Sequence, residues 1–157
     1  MYVRNELNPV HKTEITEINF PESTWGSINW NDASTLIGMC YRAPDSLEIN
    51  DRAMYSLLEI VGNQRVVVLG DFNNPEISSN QHKTLDAAHP FIECIGNNFL
   101  FQLVDEPNRG KNFWDLVLSS DDSIVQSLQV GEPFWIKWSS SNKIRNSLWA
   151  KSTWKEH

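Results

Sequence analysis

The segment Arg65–Leu69 (RVVVL) constrains the fold of this chain more than any other. Each of its three consecutive valines branches at Cβ, which stiffens χ1 and favours a pleated backbone in a buried setting. A second continuous apolar run, Thr35–Tyr41 (TLIGMCY), carries the same signature of a strand covered on both faces. Between the two runs, Met54, Leu57, Leu58 and Val61 fall at i, i+3, i+4 and i+7, and this spacing predicts a helix over Leu47–Val61. Asp45 with Glu48 reads as its capping box and Gly62 as its stop. A second helix is expected over Pro90–Asn97, with Pro90 suited to the first turn. Met1–Leu7, Thr13–Phe20, Leu100–Val104, Phe113–Leu118 and Ser123–Val130 read as further strands. Pro21–Ser34, with Gly26, Asn29, Asn31 and Asp32, reads as a loop. Many strands with a few interleaved helices point to a sheet-rich α/β or α+β layered domain.

The 157 residues fit one domain. No apolar run approaches the ~18 residues of a membrane span, so no membrane partner is expected. Met1 opens no basic-then-apolar leader, and an intracellular protein is expected. Cys40 and Cys94 lie in apolar settings with no CxxC spacing, so both are expected to be reduced packing residues.

Charge is distributed unevenly. Residues 1–133 hold 8 Lys+Arg against 19 Asp+Glu, a balance of −11, whereas residues 134–157 hold 5 against 1, a balance of +4. The final stretch also contains four of the seven tryptophans and shows no clean period of 2 or 3.6. We divide the chain there, into a body over 1–133 and a basic, Trp/Ser-rich tail over 134–157.

The chemistry concentrates after the valine strand, where Gly70-Asp71-Phe72-Asn73 follows directly. The carboxyl end of a buried strand is where layered α/β folds bind ligands. A carboxylate there can hold a metal or orient a water, and an amide can hold an oxyanion or phosphate oxygen. A simple turn is the competing reading, since Gly, Asp, Asn and Pro are turn formers. Asp115 lies in the apolar stretch Asn112–Leu118, where it is either an outward-facing residue or a carboxylate with a partner. Tyr41 closes its strand just before Arg42 and Pro44, where a core-edge aromatic is the competing reading. Arg109 with Lys111 sits on a Gly-containing loop, where the pair can meet phosphate or stand as solvated charges. The four histidines form no metal-spaced cluster, and the absence of GxxxxGK[ST] excludes a P-loop nucleotide hydrolase.

In order along the chain, TLIGMCYRAPDS, RVVVLGDFNNPEI and FIECIGNNFLFQLVDEPNRGKNFWDLVLSSDDSIVQSLQVGEP resemble the endonuclease/exonuclease/phosphatase superfamily. More narrowly, they resemble the endonuclease domain of jockey-like non-LTR retrotransposons. The resemblance runs from about Met1 to Pro133. It implies a four-layer α/β sandwich with two sheets face to face and helices outside, here incomplete. It also implies Mg²⁺-assisted hydrolysis of a DNA phosphodiester. By the same motifs, Asp71 would orient or activate the attacking water and Asn73 would hold the metal–phosphate assembly, making both the metal-side residues. Asp115 would support the family's catalytic histidine, and Tyr41 would contact the scissile phosphate. Asp45 stands where relatives usually have Asn, and a carboxylate there repels phosphate.

Two departures shape the functional expectation. The Asn and the metal-binding Glu of early strands in relatives have no counterpart here, nor has the terminal Ser-Asp-His, whose place is taken by Phe134–Trp138. Mg²⁺ seeks near-octahedral oxygen coordination, so its site is expected to be weak or lost. The expected function is therefore a remnant of a Mg²⁺-dependent DNA endonuclease, inactive or weakly active, acting in the nucleus if at all. The alternative is a non-catalytic binding module or a gene fragment without selected activity.

Overall fold

The computed structural model describes residues 3, 5–16, 20–30, 33–73, 90–104, 115–125, 127–130, 135–139 and 147–151. Six strands form one sheet: β1 (Val10–His11), β2 (Ser23–Trp30), β3 (Ala33–Tyr41), β4 (Val66–Asp71), β5 (Phe101–Gln102) and β6 (Asp115–Ser119). Their spatial order is β1-β2-β3-β4-β6-β5. The described helices are α1 (Thr13–Thr16), α2 (Glu48–Gly62) and α3 (Pro90–Asn97), and α2 is the crossover between the parallel pair β3 and β4. Every other pairing is antiparallel. This is the mixed α/β architecture expected from the sequence.

Both apolar runs form central strands, and their burial explains their composition. Val66, Val67 and Val68 are all fully buried. Since successive side chains leave opposite faces of a strand, the sheet is covered on both sides here. Small residues let its neighbouring strands fit together. Trp25 of β2 lies opposite Gly38 of β3, and a Cβ at Gly38 would stand 2.3 Å from the indole ring. A Cβ at Gly70 would stand 2.0 Å from the Cys40 carbonyl oxygen.

The apolar stripe of α2 is buried as expected, through Met54, Leu57, Leu58 and Val61. Its start differs. The N-cap is Leu47, with no side-chain cap hydrogen bond, so Asp45 and Glu48 form no capping box. Gly62 is the last helical residue, and Asn63 is the C-cap. α3 spans the expected residues, and its Phe91 ring lies 5.2 Å from Phe72 and 6.3 Å from Tyr55.

Several segments depart from expectation. Residues 21–34 contain β2 rather than a loop, because pairing with β3 from Ser23↔Cys40 to Trp30↔Ala33 satisfies a backbone whose side chains alone favour turns. Asn5–Leu7 is a 3₁₀ turn and Thr13–Thr16 a single helical turn, not strands; residues 1, 2, 4 and 17–19 lie outside the described set. Of Ser123–Val130, only Ser127–Val130 is strand (β7); Ile124 closes a turn by donating to the Asp121 carbonyl, 3.2 Å.

β7 continues antiparallel into β8 (Trp135–Ser139) and β9 (Ser147–Lys151), a three-stranded sheet that the irregular sequence did not reveal. Cys40 and Cys94 are free cysteines, Cys40 buried and Cys94 half-buried. Burial pushes the Cys40 thiol up to about 12 and the Cys94 thiol to about 11. No described helix is long and apolar enough to cross a membrane.

Candidate active site

Strand register gathers the candidate residues. At the carboxyl end of β3 and β4, Tyr41 is paired with Asp71, and on the other side Asp71 is paired with Asp115 at the start of β6. Residues directly opposite across neighbouring strands share a face of the sheet. Tyr41, Asp71 and Asp115 therefore form one row at the end of these interior strands, with Asp71 only 8% exposed and the other two half-buried. Asp115 is half-buried, and register places it opposite a second carboxylate-bearing residue. Like charges directly opposite repel, and a cation near the pair relieves that repulsion.

Asn73 follows two residues later in the left-handed region, at φ 42°, a conformation that Asn tolerates better than most residues. The GDFN segment is both a turn and a candidate site. Asn73 donates its backbone N–H to Asp71 Oδ1 at 3.1 Å and its Nδ2 to the Arg42 carbonyl at 2.8 Å, and it is 5% exposed. The first bond is an Asx turn that fixes one carboxylate oxygen; the second fixes the amide's orientation.

Arg42 is the residue that sequence reasoning left without a role. Its Nε and Nη2 donate to Asp51 Oδ1 and Oδ2 at 2.8 and 2.9 Å, a bidentate pair with the first turn of α2. Its Nη1 donates to the Asn73 carbonyl at 3.1 Å, and its backbone N–H to the Asp71 carbonyl at 2.9 Å. The hydrogen bonds to Asp51 raise the Arg42 pKa further, so the guanidinium stays charged. The available signal was its position in Tyr41-Arg42-Ala43-Pro44.

Asp45 is exposed in the turn before α2. Arg109 and the rest of its loop lie outside the described residues. A groove of about 560 Å³ between α2 and α3, lined by Arg52, Tyr55, Glu59, Glu93, Cys94 and Asn98 among others, takes in none of the candidate residues.

The donor set suits a hard divalent cation in kind: two carboxylates on one row and an amide oxygen beside them. In number it is small, since no described group of three His, Cys, Asp or Glu is placed to hold a metal. Mg²⁺ is commonly held by only one or two carboxylates, with water and substrate phosphate completing its shell, so the set fits a minimal site.

Residues 35–146 match the family described as Endonuclease-reverse transcriptase. Six solved chains match. Among them is the endonuclease domain of TRAS1, a telomere-specific non-LTR retrotransposon, at 17% identity and a TM-score of 0.61. That match covers 81% of this chain and 61% of the TRAS1 domain chain, so this chain spans under two thirds of its length. No curated protein matches.

Proposed function

The chain belongs to the Endonuclease-reverse transcriptase family, of endonuclease/exonuclease/phosphatase type, and on that premise we propose that it hydrolyses a DNA phosphodiester with the help of Mg²⁺, slowly. The observation that carries this is the Tyr41–Asp71–Asp115 row, with Asn73 beside it, at the end of the buried strands. Asp71 would accept, through Oδ2, the proton of a water that attacks phosphorus, while the Asn73 N–H holds Oδ1; the bond from phosphorus to the leaving sugar oxygen breaks, and solvent water protonates that oxygen. Tyr41 donates its hydroxyl to a non-bridging phosphate oxygen. Asn73, its amide nitrogen tied to the Arg42 carbonyl, would offer Oδ1 to the metal. Asp115, opposite Asp71, adds a second carboxylate to that side. When bound, the cation polarises the phosphoryl oxygens and offsets negative charge that develops on them. A slow reaction is supported by the small donor set, because each missing electrostatic stabiliser typically costs about 10²–10³ in rate.

The test is nicking of supercoiled plasmid by the 157-residue chain with Mg²⁺. We expect slow nicking that EDTA removes and that Asp71→Ala lowers by at least about 10²-fold. A folded sample that leaves the plasmid intact over days rejects hydrolysis and favours a non-catalytic binding module, as does activity unchanged in Asp71→Ala.

A further inference from the structure

A strained turn persists only where its surroundings over-determine it, and the Asn73 turn is such a case. Its left-handed residue is tied at both backbone polar groups and at its side-chain amide nitrogen. The backbone N–H goes to Asp71, the side-chain Nδ2 to the Arg42 carbonyl, and the carbonyl receives Arg42 Nη1. Two of those three ties end on Arg42. A further tie joins the Arg42 N–H to the Asp71 carbonyl, so Arg42 grips the turn at both of its candidate functional residues.

Arg42 is itself fixed. Its fork is held by both oxygens of Asp51, with both side chains mostly withdrawn from solvent at 16% and 17% exposure. Asp51 stands in the first turn of α2, where the helix dipole favours a negative charge. A planar guanidinium can engage a carboxylate with two nitrogens and still direct a third donor elsewhere. An ammonium is a point charge and cannot reproduce that fork.

We infer that Arg42 is a positioning residue, which, locked by Asp51, sets the orientation of Asp71 and Asn73 toward a divalent cation. The inference rests on the metal-assisted reading above. It adds a line from α2 through Asp51 and Arg42 to the turn, carried by residues that do not touch the reacting atoms.

The experiment measures Mn²⁺ binding to the full chain by electron paramagnetic resonance, with Mn²⁺ in place of Mg²⁺, and hydrogen exchange at the Asn73 amide. Arg42→Lys and Asp51→Asn are compared with Arg65→Lys. Arg65 is a control because it pairs with Asp121 at 3.6 Å and Thr35 Oγ1 at 3.1 Å, near the opposite end of β4. We expect Arg42→Lys and Asp51→Asn to keep a cooperative melt, to weaken Mn²⁺ binding by about 10-fold or more, and to speed exchange at Asn73 but not at Val67–Leu69. Arg65→Lys should leave both readouts at the wild-type level. Pairing Arg42→Lys with Asp51→Glu, whose longer side chain reaches the shorter cation, should recover part of the affinity. Mn²⁺ binding within two-fold of wild type in a folded Arg42→Lys overturns the assignment, and so does an equal loss in Arg65→Lys. Should Arg42→Lys fail to fold, Asp51→Asn decides by the same criteria. If the wild-type chain binds no Mn²⁺, the metal-assisted reading fails by itself. Exchange at Asn73 then decides whether Arg42 orders the turn, and unchanged exchange in a folded Arg42→Lys rejects that too.

Discussion

At the scale of single residues, the GDFN segment shows how a site and its support are written together. Gly70 is present because the strand before the site passes so close to β3 that a Cβ would sit 2.0 Å from the Cys40 carbonyl oxygen. Backbone cannot yield as a flexible side chain does. Gly70→Ala is therefore expected to destabilise the fold by about 1–3 kcal/mol or more, read as a lower midpoint in urea unfolding. A midpoint equal to wild type would mean that β3 and β4 are not packed this tightly. Asp71 and Asn73 were legible as candidates because polar residues at the carboxyl end of a buried, valine-rich strand stand where layered folds bind ligands. Arg42 was not, because an arginine in a turn is usually a solvated surface charge. Only its contacts to Asp51 and Asn73, distant in sequence, reveal its place.

At the scale of elements, local pattern and tertiary pairing contributed unequally. α2 was legible from an apolar stripe at helical spacing and α3 from a proline suited to its first turn, both local properties, and the apolar residues of each helix are buried. β2 was not legible. Its Gly and Asn residues favour turns in isolation, and what makes it a strand is the full ladder to β3, including the fit of Trp25 over Gly38. The start of α2 shows the reverse failure, where an apparent capping box is unused and a 67% exposed Leu47 occupies the N-cap. Leu47 already has an extended backbone, φ −74° and ψ 149°, suited to a capping side chain. Leu47→Ser is expected to stabilise the protein by about 1 kcal/mol through a new bond to the first turn, measured by chemical denaturation. Unchanged or lower stability would show that Leu47 contributes packing that outweighs the cap.

At the scale of the whole molecule, the buried thiols give the fold a pH dependence. Cys40 is pushed from its ordinary 9.0 up to about 12 by desolvation, and Cys94 to about 11. In the unfolded chain both ionise near their ordinary value, so the folded state binds more protons than the unfolded state above it. Stability is fully present below about pH 9 and falls as pH rises toward 11–12, at up to about 1.4 kcal/mol per pH unit for each thiol. Cys40→Ala should roughly halve that slope between pH 9 and about 11 and remove it from there to about 12, while leaving the dependence below pH 8 unchanged. The same slope in Cys40→Ala and wild type would place the effect elsewhere.

The sequence by itself determined the layered α/β class, the two helices and the central strands, through properties carried within a few residues: branching at Cβ, helical spacing, and polar residues at a strand exit. The resemblance of its motifs supplied the family and, with it, Tyr41, Asp71, Asn73 and Asp115 as candidate site residues. Tertiary structure alone decided that Tyr41, Asp71 and Asp115 stand in one row, that β2 is a strand, that β7 to β9 form a sheet, and that Arg42 joins α2 to the turn. Each of these depends on register between segments far apart along the chain. A shift of one residue in any strand would turn the same side chains to the opposite face.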